Sequence, residues 1–250
     1  MSMEDKRQFI YKLKPQLVIC WVLLLKMSAV FAGTNDSNGL WAGINIENRF
    51  QPNSKLHYNV LVQPRFINSQ VMLQQVEVSP AIFYQQNQHW SYWLGYGLFP
   101  TTPQGTSQTY LEQRIWPQIE YDTNIGDRLK LSARSRYEIR QWSDSAQIAT
   151  RFRQRFEATV IGHNALNISY DAFYEGFLNV KNADWVTDER VDQNRYYLGI
   201  EIPTTATTVL NFGYLYIYRP REVESQAEHI FSIGLSVNLD KRGVGPVYSV

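Results

Sequence analysis

Residues 128–141 read RLKLSARSRYEIRQ. Leu129, Leu131, Ala133, Tyr137 and Ile139 fall on one side of an extended chain, and Lys130, Ser132, Arg134, Arg136, Glu138 and Arg140 fall on the other. A repeat of two is the period of a β-strand with one apolar face. The same alternation recurs at 165–178, where Leu166, Ile168, Tyr170, Ala172 and Tyr174 oppose Asn167, Ser169, Asp171 and Glu175. At 207–219, Leu210, Phe212, Tyr214, Tyr216 and Tyr218 share a face, and at 228–239 Phe231, Ile233, Leu235, Val237 and Leu239 do.

Working outward from these segments, eleven stretches read as strands: 40–50, 57–66, 71–86, 90–99, 109–122, 128–141, 148–161, 165–178, 191–203, 207–219 and 228–239. Such lengths suit tilted membrane strands, which need about 9–11 residues to cross, better than ordinary strands of about 5–6. No stretch after Gly33 is long and apolar enough for a membrane helix. A soluble β-sandwich also alternates, but its polar faces are outer surface, rich in Lys and Thr. Here the polar faces carry Arg, Glu, Gly and Ser, and the apolar faces end in aromatics. Tyr58, Tyr84, Tyr92, Tyr121, Trp142, Tyr174, Tyr196 and Tyr218 are candidates for the girdles found at membrane interfaces. Aromatics are 14% of the chain, charged residues only 19%, and mean hydropathy is negative, as in a barrel whose strands are half wet.

The fold expected is therefore all-β, an antiparallel transmembrane β-barrel. Single-chain bacterial barrels have even strand numbers, so eleven segments imply about 12 strands (10–12). Val244–Val250 would supply a twelfth, or 57–66 merged with part of 71–86 would give ten. The polar connectors 100–108 and 179–190 are long, whereas Asn68-Ser69, 124–127, 143–145 and 162–164 are turn-like. Long loops on one side and short turns on the other are expected.

Residues 1–32 read as an export signal and 33–250 as the barrel. Lys6, Arg7, Lys12 and Lys14 precede the apolar run Leu17–Leu25, and Val30-Phe31-Ala32 is a suitable cleavage site before Gly33. Nine apolar residues span only ~14 Å as a helix, too little for an anchor. Cleavage removes Cys20, the single cysteine, so the mature chain has no thiol chemistry. It also removes five Lys/Arg and two Asp/Glu from totals of 24 and 23, leaving 19 basic and 21 acidic residues. No basic surplus remains for nucleic acid.

The segments LEQRIW (111–116), RSRYEIR (134–140), RFRQRF (151–156), NRYYLGI (194–200) and NFGYLYIY (211–218) resemble the uncharacterised outer-membrane barrels grouped as domain of unknown function 2490. The resemblance covers nearly all of the mature chain, its first two strands matching loosely. It implies the outer membrane of a Gram-negative cell, with outer-membrane lipid, lipopolysaccharide and the barrel-assembly machinery as partners. It brings no activity and no cofactor.

Parity places Arg114, Lys130, Arg134, Arg136, Arg140, Arg151, Arg153, Arg155 and Arg195 inside the barrel, with Glu112, Glu120, Glu138, Glu157, Asp171, Glu175 and Glu201. Arginine on the lipid face would cost about 2–4 kcal/mol at mid-bilayer, which drives this face inward. Two readings follow: ion pairs that fill a narrow lumen, or a porin-like pore in which unpaired arginines steer anions. The near balance of signs favours the filled, structural lumen.

A lipid-modifying enzyme is the alternative function, and an adhesin working through its loops is another. A hydrolase needs Ser and His within reach. His229 and Ser232 are three apart and so point to opposite faces, and His163 lies in a turn. No catalytic set, cofactor site or metal site emerges. The acidic loop 184–192 lacks the spacing of a calcium loop. Gly95, Gly97, Gly199, Gly213 and Gly234 sit inside strands, where they make room for large neighbours such as arginine or Trp93.

Overall fold

A computed structural model describes residues 34–67, 72–103, 105–163 and 166–240. The segment 1–32, the turn at Asn68-Ser69 and the tail Val244–Val250 lie outside the described residues. Eleven strands follow one another: β1 (Thr34–Arg49), β2 (Leu56–Ile67), β3 (Met72–Gln85), β4 (Trp90–Thr101), β5 (Tyr110–Ile125), β6 (Leu129–Trp142), β7 (Ile148–Val160), β8 (Ser169–Lys181), β9 (Val191–Pro203), β10 (Thr208–Arg219) and β11 (Ser225–Asn238). Each pairs antiparallel with its neighbour in sequence, and β11 meets β1 to close a barrel. β2 and β3 are separate strands, so the merged, ten-stranded alternative does not form.

Among the described residues the count is eleven, where the sequence led to an even number near twelve, and the barrel closes at eleven. Leu239 N–H donates to the Glu47 carbonyl at 3.0 Å, Arg49 pairs with Asp240, and Asp36 lies 3.9 Å from His229. Residue numbers rise together across these contacts, so β1 and β11 run in the same direction. Eleven alternating strands leave the first and last parallel, and the seam is a parallel pair. One consequence is that β1 starts at one end of the barrel and β11 finishes at the other.

The loops are less asymmetric than expected. The β2–β3, β4–β5, β6–β7, β8–β9 and β10–β11 connections share the end where β1 begins, called here the first end; the other five share the second end. The long segments 102–109 and 182–190 are both at the first end, but so is the short connection 143–147, and the second end carries the long 161–168. That last loop also delays β8, which begins at Ser169 and not at 165. Asn167 there adopts φ 50°, a left-handed conformation that interrupts extended chain.

Alternation sorts the side chains as sequence periodicity requires. Leu94, Ile115, Phe156, Leu198 and Phe231 stand exposed on the outside, while the charged residues turn inward. Of the aromatic girdle candidates, Tyr84, Tyr92, Tyr174 and Tyr196 are exposed outside. Trp142 is an exception. It shares the inward parity of Arg140 and stacks between Tyr110 and Trp185 at the mouth of the first end. Three of the strand glycines answer to specific rings. A Cβ on Gly95 would strike the Trp116 indole, and one on Gly199 or Gly213 would strike the Tyr197 ring. The ring that Gly95 accommodates is thus Trp116 and not Trp93.

Candidate functional site: the arginine–glutamate lumen

Strands β5 to β9 deliver most of the interior charge, because each places an Arg or Glu at every second position. All fifteen sequence-selected residues carry inward parity. Three carboxylates organise the arginines. Glu112 accepts from Arg114 Nε at 2.8 Å and Nη2 at 2.9 Å, and from Arg140 Nε at 2.6 Å. Glu138, 1% exposed, accepts from Arg151 Nη2 at 2.6 Å and Arg153 Nη1 at 2.7 Å. Glu175, 0% exposed, accepts from Arg134 Nη2 at 2.7 Å, Arg153 Nε at 3.0 Å and Arg155 Nη2 at 3.2 Å. Arg153 joins the second group to the third.

The remaining selected residues divide. Glu157 lies 3.8 Å from Arg155. Arg136 donates to Gln118 Oε1 and rests on the Trp116 ring at 3.7 Å, and Gln118 Nε2 in turn donates to Glu120 at 2.8 Å. Arg195 stands over the rings of Phe177 and Trp41 at 4.6 and 5.2 Å. Asp171 and Glu201 sit on β8 and β9 toward the second end, away from the three clusters. Lys130, also expected inside, reaches Asp122 at 3.4 Å.

Several interior residues escaped the sequence reading. Arg65 pairs with Glu77 across β2 and β3, and Asp192 pairs with Arg151. Trp41, Phe99, Trp116, Phe173 and Phe177 form cation–π faces for the arginines, with Arg114 3.6 Å from the Phe99 ring and Arg155 4.0 Å from Phe173. Arg65 and Glu77 were visible in principle, as the one charge of each sign in an otherwise uncharged strand pair.

The space inside is uneven. At the second end a cavity of about 320 Å³ opens between β1 to β6 and the end of β11. Its floor includes Glu77, Arg134 and Arg136. These three also border a gap of about 10 Å³ enclosed by Arg65, Arg114, Arg153 and Arg195, room for about one water molecule. Between the vestibule and the first end, the lumen at this level is occupied by guanidinium groups.

Histidine chemistry is dispersed. His57 stacks on Phe83 at 4.5 Å, His89 Nδ1 meets the Asp122 carbonyl at 2.7 Å, and His163 Nε2 meets the Asp127 carbonyl at 3.1 Å. His229 faces outward against Tyr214 Oη at 2.5 Å, while Ser232 has inward parity. Among the described residues no group of three or more His, Cys, Asp or Glu is placed to hold a metal.

The profile of the family described as "Protein of unknown function (DUF2490)" matches residues 38–228, which takes in most of β1, all of β2 to β10 and the start of β11. The chain belongs to the DUF2490 family. A relative within reach of this DUF2490 barrel is an uncharacterised protein of Methylorubrum extorquens, 25% identical over 182 residues, covering 72% of this chain and 79% of the relative. No solved structure matches. The matched region contains all three Glu-centred clusters, so the charged interior lies within the part of the chain that defines membership in DUF2490.

Proposed function

We propose that this DUF2490 member is an outer-membrane barrel of structural, closed type, exported by a signal peptide at residues 1–32. The outward face supports the location. Large apolar side chains stand exposed around the barrel, with Phe156 56% and Phe231 66% exposed, and hydrocarbon would cover that surface. The lumen supports the closure. The observation that carries it is Glu175, fully buried and held by Arg134, Arg153 and Arg155. Interior charges of this kind are stabilised by forked, mutually satisfied pairs, and they occupy the volume through which a solute would pass. Eight strands leave a barrel just filled by side chains and 16–18 leave an aqueous channel, so eleven is compatible with a filled one.

The test is conductance. Purified protein in planar bilayers gives no steady channels where a porin control conducts. Steady conductance whose ion selectivity shifts with Arg153→Glu would replace the closed barrel with an anion-steering pore. Location is checked separately: the mature chain begins near Gly33, fractionates with the outer membrane and shows heat-modifiable migration on gels.

A further inference from the structure

We infer that the vestibule at the second end is a binding pocket for a small zwitterion carrying an ammonium and a carboxylate, of amino acid or dipeptide size. The inference goes beyond the closed-barrel reading and rests on the geometry of the cavity. At about 320 Å³ the space falls at the small end of ligand pockets.

Its wall is built for a polar occupant. Asn45, His57, Asn59, Ser79 and Gln118 line the cavity together with the charged groups named below.

Charge then sets the ligand's polarity. At the floor, Arg136 is 7% exposed and has no carboxylate within 4.0 Å among the described residues. Its Nε is held by Gln118, and its ring contact with Trp116 fixes the guanidinium plane. Farther out, Glu47 and Glu120 also line the cavity, and neither has a cation within 4.0 Å among the described residues. Glu120 accepts from Gln118, and Glu47 accepts from Asn238 at 3.4 Å. The other mouth charges neutralise one another, Lys130 with Asp122 and Arg49 with Asp240. An unpaired cation lies inside and unpaired anions lie outside, separated by the Gln118 amide. A pure anion would meet Glu47 and Glu120 on entry, and a pure cation would meet Arg134 and Arg136 at the floor. A zwitterion with its carboxylate inward satisfies both.

Isothermal titration calorimetry on the full-length mature protein in detergent tests this, using L-alanine, L-glutamine and L-alanyl-L-alanine at millimolar concentration. At least one binds. N-acetylation or methyl esterification of that ligand weakens binding by about tenfold or more, as does Arg136→Gln or Glu120→Gln. Asp184→Asn, in the β8–β9 connection at the opposite end of the barrel, leaves it unchanged. Heat-modifiable migration verifies that each variant is folded. Glu47→Gln, at the partly exposed mouth, repeats the test if Arg136→Gln does not fold. Absence of heat with all three zwitterions overturns the inference, as does equal binding of the blocked forms or indifference to both Glu120→Gln and Glu47→Gln. Any of these results leaves the closed barrel untouched, since conductance and location are measured separately.

Discussion

Glu175 shows how one carboxylate can carry a cluster. It has no exposed surface, and three guanidinium groups share it as a counter-charge. Glu175→Gln keeps the shape and removes the charge, leaving Arg134, Arg153 and Arg155 short of one negative partner. Removing one member of a buried ion pair costs about 3–5 kcal/mol. The variant should therefore unfold at a clearly lower denaturant concentration in micelles. Adding Arg155→Gln should recover part of the loss, and the double-mutant cycle reports the coupling. If Glu175→Gln unfolds like the unmodified protein, the cluster contributes nothing to stability.

At the scale of a strand, alternation makes opposite demands on neighbouring positions. On β7, Arg155 is inward beside Glu175 while Phe156, the next residue, is 56% exposed outside. Phe156→Arg places a second charge one residue away from the first but on the other face. With the barrel in a bilayer, the substitution should lower unfolding stability by about 2–4 kcal/mol, measured by denaturant titration in lipid vesicles. A water-facing outer surface would tolerate it to within about 0.5 kcal/mol. The measurement thus tests the solvent of the outer face without reference to the lumen.

For the whole molecule, the odd strand count has a topological consequence. Because β1 and β11 are parallel, the chain enters the barrel at one end and leaves it at the other. With the barrel in the outer membrane as proposed above, a cysteine introduced at Asp36, near the start of β1, and one introduced at Asp240 should therefore lie on opposite sides of that membrane. In intact cells a membrane-impermeant thiol reagent should label one and spare the other; labelling of both, or of neither, would contradict the parallel seam. Cys20 is the single native cysteine, so a Cys20→Ser background leaves each introduced thiol alone.

Periodicity along single strands determined much of this protein. RLKLSARSRYEIRQ settles which side chains share a face, and with hydrocarbon outside, as proposed above, the cost of arginine there turns the charged face inward. All-β class, most strand positions to within four residues (β1 begins at Thr34, six residues before the stretch read from 40) and the charged interior of β5 to β9 follow from those two facts. Tertiary structure alone decided the rest. Closure depends on whether Glu47 and Leu239 meet, residues from opposite ends of the chain, and no local pattern encodes that pairing or its parallel direction. Which carboxylate serves which arginine depends on the stagger between strands, so Glu175 acquires partners from two other strands while Arg136, equally regular in the sequence, acquires an amide and an indole. Local alternation is a property of the extended backbone; register and closure are properties of contacts between segments distant along the chain.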